Sequence, residues 1–208
     1  PMDDTANLLL MSFFETRIRK EQKIVKRIFD VVASIIALIV LSPLFLIVAL
    51  AIKLSSKGPV LYKQQRVMKG GKLFKILKFR TMVADADSIG PPLTQKDDPR
   101  ITRLGKFLRL SSIDELPQLI NVLKGEMSLV GPRPEVPSIV ARYEKWQRRV
   151  LDAQPGITGL AQISGRDDLS INDKLRYDMY YLRNHSLSLD IKIILKTFKK
   201  VLDRQGAN

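Results

Sequence analysis

Cysteine is absent from this 208-residue chain and histidine occurs once. No disulfide framework, thiol nucleophile, cysteine-bound zinc, iron–sulfur cluster or histidine cluster can therefore be built, and any metal would be held by oxygen. Acidic residues are in the minority, with 21 Asp and Glu against 35 Lys and Arg, giving a formal charge of +14. Such a balance excludes a chain without anionic partners and points to phosphates, nucleic acid or an anionic membrane. Aromatic residues make up only 7%, and no nucleic-acid motif interleaves them with the basic residues, so nucleic acid is not expected as a partner. The glycine patterns of dinucleotide and P-loop folds are missing too.

Charge itself is missing from one long stretch. The 22 residues from Val31 to Ile52, VVASIIALIVLSPLFLIVALAI, contain none. At ~1.5 Å per residue this run is long enough to cross a hydrocarbon core as one helix. Two features favour a hairpin that enters and leaves by one face. Ser42-Pro43 lies near the middle, where proline removes a backbone hydrogen bond and clashes with the preceding turn. The flanks are symmetric in charge, with Arg17, Arg19, Lys20, Lys23, Lys26 and Arg27 before and Lys53, Lys57, Lys63, Arg66, Lys69 and Lys72 after, so neither side is marked as the outer one. The Ser42 hydroxyl is expected to serve a backbone group freed at the bend. The reading is thus an N-terminal interfacial segment over residues 1–30, including the apolar Leu8 to Phe14, a re-entrant membrane helix over 31–52 and a catalytic-sized domain over 53–208.

In that third segment, residues 58–82 read as a β-hairpin turning at Lys69-Gly70-Gly71, although its second arm also admits a helix. Asp85 to Pro99 reads as a loop. Short helices are expected around Leu104 to Leu108 and from Leu116 to Leu123, the latter stopped by Gly125. Beyond lie a helix over about 135–151, a glycine-rich loop from Pro155 to Arg166 and a helix over about 170–184. Ile191, Ile194, Leu195, Phe198 and Leu202 then alternate with lysines as a basic amphipathic helix suited to anionic lipid. The fold class is α+β, a mostly helical membrane-associated domain with a small β-hairpin and interfacial helices.

Three clusters can carry chemistry. In Ser111-Ser112-Ile113-Asp114-Glu115-Leu116-Pro117, Ser112 and Glu115 have capping-box spacing, and Asp114 could itself be the cap before Pro117. The same adjacent carboxylates could instead divide phosphorus attack and metal binding, with Arg109 nearby as positive charge. In Gly131-Pro132-Arg133-Pro134, two prolines fix the backbone around a guanidinium suited to bidentate phosphate contact. From Gly156 to Arg166, several glycines permit close approach of an anion to the main chain. His185 lacks a partner pattern and reads as a helix-end residue.

Taken in order, KRIFDVVASIIALIVLSPLF, KFRTM, DPRITRLGKFLRLSSIDELPQLINVLKGEMSLVGPRP and PGITGLAQISGR closely resemble the bacterial monotopic phosphoglycosyl transferases, the sugar-transferase family, over about residues 26–203. The resemblance implies an enzyme that moves a phosphosugar from a UDP-sugar to polyprenyl (undecaprenyl) phosphate with Mg2+, on the cytoplasmic face of the bacterial inner membrane, in glycoconjugate and polysaccharide assembly. It makes Asp114 the nucleophile of an Asp114–Glu115 dyad that also binds the metal, by ping-pong chemistry through an aspartyl-phosphosugar. It assigns Lys78, Arg109, Arg133, Arg166 and Asp178 to substrate binding, and Ser42 and Pro43 to the membrane kink. The first two dozen residues extend beyond minimal members, and the lack of further membrane helices resembles the small form. A homodimer is compatible with this reading. The alternatives are a non-catalytic basic membrane scaffold and a nucleic-acid-binding protein. Which sugar is transferred is not encoded in any spacing.

Overall fold

The computed structural model describes residues 20–90, 98–165 and 169–203. Leu8 to Phe14, most of the expected Asp85 to Pro99 loop beyond Gly90, and Arg166 lie outside them. The described chain is mostly helical with two small two-stranded sheets.

Helix α1, Lys20–Val40, is followed after one residue by α2, Ser42–Ser55. The two are bent by 61°. Pro43 causes the bend: it cannot donate to the Ile39 carbonyl four residues back, and its ring crowds that turn. The Ser42 hydroxyl fills the vacancy, donating to the Ile39 carbonyl at 2.8 Å. No single described helix is long and apolar enough to cross a membrane, and only the bent pair passes that test together. Along the pair, Ile35, Ile36, Ile39, Val40, Leu46, Ile47 and Leu50 stay exposed. Exposed aliphatic side chains at such density need an apolar covering.

The opposite side of the pair is stitched to the rest of the chain. Strands β1, Leu61–Val67, and β2, Leu73–Phe79, form an antiparallel hairpin with Tyr62 opposite Lys78. Its turn, Lys69–Gly71, uses glycines at φ +72° and +76°, where a β-carbon would be strained. The second arm is therefore a strand, not a helix. Val48 and Ile52 of α2 pack with Phe79 of β2 and Leu108, each contributing ~1.5–3 kcal/mol of apolar burial. Phe45 meets Phe79 edge-on at 5.2 Å between ring centres. Arg80, just after β2, donates to the carbonyls of Ser56 at 2.8 Å and Lys57 at 2.9 Å and to the Ser56 hydroxyl at 2.8 Å. A cation thus satisfies carbonyls left open where α2 ends.

After a short α3, Ala86–Ile89, come α4, Arg103–Leu110, and α5, Gln118–Leu123. Thr102 caps α4 by accepting from the Gly105 N–H at 2.9 Å. From α1, Arg27 donates to the last carbonyls of α5, Val122 at 2.6 Å and Leu123 at 3.0 Å. Helix α1 is thereby fixed to the helix that follows Asp114 and Glu115.

Strand β3, Ser128–Val130, pairs in parallel with β4, Gly156–Thr158. Between them the sequence reading needs correction. The expected helix over 135–151 is α6, Pro137–Val140, then turns and a 3₁₀ segment at Gln147–Asp152. A continuous helix would send the Glu144 N–H to Val140, but the Gln147 side chain accepts it at 2.7 Å, and the Tyr143 carbonyl receives Arg148 Nε at 3.2 Å. The expected glycine-rich loop is β4 followed by α7, Leu160–Ser164. Its glycines serve backbone contact: a β-carbon at Gly156 would overlap the main chain of Gly131 and Thr158. Helices α8, Ile171–Asn184, and α9, Leu187–Leu202, complete the order, and His185 follows α8 as expected. Lys26 of α1 reaches buried Asp190 of α9 at 2.7 Å, while Asp30 accepts from the Ser128 hydroxyl at 2.7 Å. The exposed side of α9 carries Leu195, Phe198 and Leu202.

Candidate active site

The Ser112–Pro117 segment does not cap a helix in the way its spacing suggests. Ser112 takes a left-handed conformation, φ 55° and ψ 15°, and its side chain makes no capping bond. For a non-glycine residue this is a strained turn, of the kind that collects at functional sites. It directs the chain into a single 3₁₀ turn, Ile113–Glu115, between α4 and α5. Ile113 joins the apolar cluster of Ile52, Phe79 and Leu108, and Asp114 on the next position is buried, 8% exposed.

Glu115 is the electrostatic hub. Its Oε1 accepts from Lys78 Nζ at 2.7 Å and faces Arg133 Nη2 at 3.3 Å. Lys78 belongs to the last residues of β2, whose position is held by Asn121 of α5. That fully buried amide accepts from the Leu77 N–H at 3.0 Å and donates to the Lys75 carbonyl at 2.9 Å. Arg109, in the last turn of α4, donates through Nε to the Thr81 hydroxyl at 2.9 Å. Burial lowers the Arg109 pKa, while Asp114 opposes that shift; a guanidinium stays charged regardless.

Burial raises the Asp114 carboxyl to about 6, and the adjacent Glu115 charge adds to this, against the pull of Lys78, Arg109 and Arg133. A desolvated carboxylate poised near neutrality among three cations is available as a nucleophile while its surroundings receive phosphate oxygens.

Lys78, Arg109, Asp114, Glu115 and Arg133 thus converge, as the sequence reading requires. Asp178 is buried on α8, and its charged neighbour is Glu135, two residues on from Arg133. Ser42 and Pro43 form the bend itself. Arg66, Thr81, Asn121 and Glu135 were not picked out. Asn121 alone left a trace, as an amide on the apolar side of a helix that also buries Leu119 and Val122.

Among the described residues, no group of three or more Asp, Glu or His could hold a metal unaided. The chemistry of the donor set still fits Mg2+, which commonly takes one or two carboxylates and completes its shell with water and substrate phosphate. Asp114 and Glu115 offer that pair.

A family model described as bacterial sugar transferase matches residues 21–204. The chain is 41% identical to the undecaprenyl-phosphate galactose phosphotransferase of Salmonella typhimurium, over 96% of the chain and 45% of that protein. It is 46% identical to the undecaprenyl-phosphate glucose phosphotransferase of Komagataeibacter xylinus, over 88% of the chain and 36% of that protein. With the exopolysaccharide production protein ExoY of Sinorhizobium fredii the identity is 42%, over 88% of the chain and 87% of that protein. The chain therefore spans less than half the length of the two phosphotransferases and most of the length of the third.

Proposed function

The chain belongs to the bacterial sugar transferase family, and from that premise we propose that it transfers a sugar phosphate from a UDP-sugar to polyprenyl phosphate at the cytoplasmic face of the inner membrane. The observation that carries the reading is a buried carboxylate at Asp114, raised to about 6, in a cation-lined site built directly on the bent apolar helix pair.

In the first half-reaction an oxygen of ionised Asp114 attacks the β-phosphorus, which bears the sugar. The bond from that phosphorus to the bridging oxygen breaks and UMP departs with the electron pair. An oxygen of polyprenyl phosphate then attacks the same phosphorus, the bond to Asp114 breaks, and the carboxylate is regenerated with polyprenyl-diphosphate-sugar as product. Lys78 and Arg133 hold Glu115 in place and present donors to the phosphate oxygens, and Arg109 adds positive charge near Asp114. Asp114 and Glu115 would hold Mg2+, which would supply charge neutralisation for the leaving group. Both half-reactions use one site because donor and acceptor each bring a phosphate to it. Arg166 and Asp178 complete the proposed set of substrate-binding residues.

The helix pair is proposed to lie in the membrane as a hairpin with both ends on one face, its exposed aliphatic side covered by lipid. The apolar and lysine-bearing side of α9 would rest on anionic headgroups. The reaction is tested with membranes, undecaprenyl phosphate and a panel of UDP-sugars, recording UMP release. Asp114→Asn should lose turnover by at least ~1,000-fold while remaining membrane-bound, and wild type with acceptor withheld should carry one sugar phosphate on Asp114 by mass spectrometry. An Asp114→Asn variant of undiminished activity would end the assignment.

A further inference from the structure

The turn that carries Arg133 is held by a residue outside the convergent set. Arg66, on β1, has only 14% of its side chain exposed. Its Nη1 donates to the Pro134 carbonyl at 3.0 Å and lies 3.6 Å from Glu135 Oε2. Its Nε and Nη2 both donate to Gln64 Oε1, at 3.1 and 2.7 Å, which fixes the plane of the guanidinium. One residue along the strand, the Val67 N–H donates to the Glu135 carbonyl at 3.0 Å. The two residues that follow Arg133 are therefore gripped by adjacent positions of a single strand, through side chain and main chain together.

Prolines 132 and 134 restrict φ within the turn but say nothing about where the turn lies relative to the dyad. Arg133 reaches Glu115 at 3.3 Å with a side chain still 36% exposed, and where it reaches depends in part on where its backbone is held. The tether brings a second cation beside it. Burial lowers the Arg66 pKa and the Arg133 charge lowers it further, so two guanidinium groups are kept together against their repulsion. Glu135 partly offsets that repulsion, and an incoming phosphate would offset the rest.

We propose that Arg66 is a positioning residue: by clamping Pro134 and Glu135 it sets Arg133 over Glu115, where the donor diphosphate is bound. The role rests on the transferase reading above and concerns donor binding.

The test is a double-mutant cycle on the full chain in membranes, with Arg66→Ala, Arg66→Lys, Arg133→Ala and the double Ala variant, measuring KM for the donor and kcat. Arg66→Ala should raise donor KM about tenfold with a smaller change in kcat, and Arg66→Lys should recover part of the loss because an ammonium can reach one of the two anchors but not both. In the Arg133→Ala background, Arg66→Ala should cost less than about twofold, since the residue it positions is gone. Should Arg66→Ala fail to fold, Gln64→Ala loosens the same guanidinium and must show the same dependence on Arg133. An unchanged donor KM in active Arg66→Ala, or losses that simply multiply in the double variant, would overturn the role of Arg66 alone. No UMP release from wild type with any UDP-sugar would instead overturn the transferase reading on which it rests.

Discussion

Asp178 makes the chain's stability depend on pH in a direction opposite to that of most carboxylates. It is buried on α8, one of its carboxyl oxygens has no hydrogen-bond partner, and burial together with the Glu135 charge raises it from 3.8 to about 8. Between those values the folded chain holds a proton that the unfolded chain has released. Its contribution is therefore complete below the unfolded value and is lost as pH rises toward the folded one. The slope is ~1.4 kcal/mol per pH unit, so moving from about pH 5 to about pH 7.5 removes about 3 kcal/mol. Asp178→Asn keeps the shape and cannot ionise, so it removes this slope. For a chain of this size the expected result is a gap between the variant's unfolding midpoint and wild type's that is about 6–12 °C wider near pH 7.5 than at pH 5. Thermal scans in one detergent at one scan rate measure the difference even if unfolding is irreversible. Parallel pH curves for the two proteins would refute the reasoning, because they would mean that Asp178 titrates alike folded and unfolded.

Two further outcomes follow from the site. If Asp114 must be ionised to attack, kcat/KM for the donor should rise with pH through a midpoint near 6 and level off above it, and a profile flat from pH 5 to 8 would contradict the nucleophile assignment. Gly105 of α4 lies against the Thr81 carbonyl, where a β-carbon would overlap it. Gly105→Ala should push α4 off the end of β2, lowering the unfolding midpoint by at least ~5 °C and activity with it, since Arg109 donates to the Thr81 hydroxyl.

What the sequence discloses divides along physical lines. The bend at Ser42-Pro43 was readable because its cause is local, a missing N–H with a hydroxyl beside it. So were the hairpin turn at Lys69 to Gly71 and the helices α4, α8 and α9, whose periodicity serves one buried face each. The stretch from Pro137 to Asp152 misled for the same reason. Val140, Tyr143 and Val150 have helix-like spacing, yet they pack against Val67 and Leu175 from distant elements, and side chains take over the backbone groups a helix would use. The glycines of the run from Gly156 to Arg166 suggested close approach of an anion, because spacing cannot distinguish a ligand from a second strand: Gly156 and Gly159 lie against the main chain of Gly131. In the dyad, the residue types were legible and their surroundings were not. That Glu115 collects Lys78 and Arg133 while Asp114 is buried depends on a left-handed turn at Ser112, which no side-chain pattern announces. Arg66 was counted only as a basic flank, its grip on Pro134 being a contact across 68 positions of sequence.

Lys78, Phe79 and Arg80 face three ways: one to Glu115, one into the aliphatic cluster under α2, one onto the open end of that helix. Three consecutive residues thus act as a fixed gauge between the bent helix pair and Asp114. On the proposed function, the height of Asp114 above the hydrocarbon boundary is set by this short rigid span and not by a flexible tether. A lipid whose phosphate is confined to the headgroup plane would then meet the enzyme in register, without being lifted out of its leaflet.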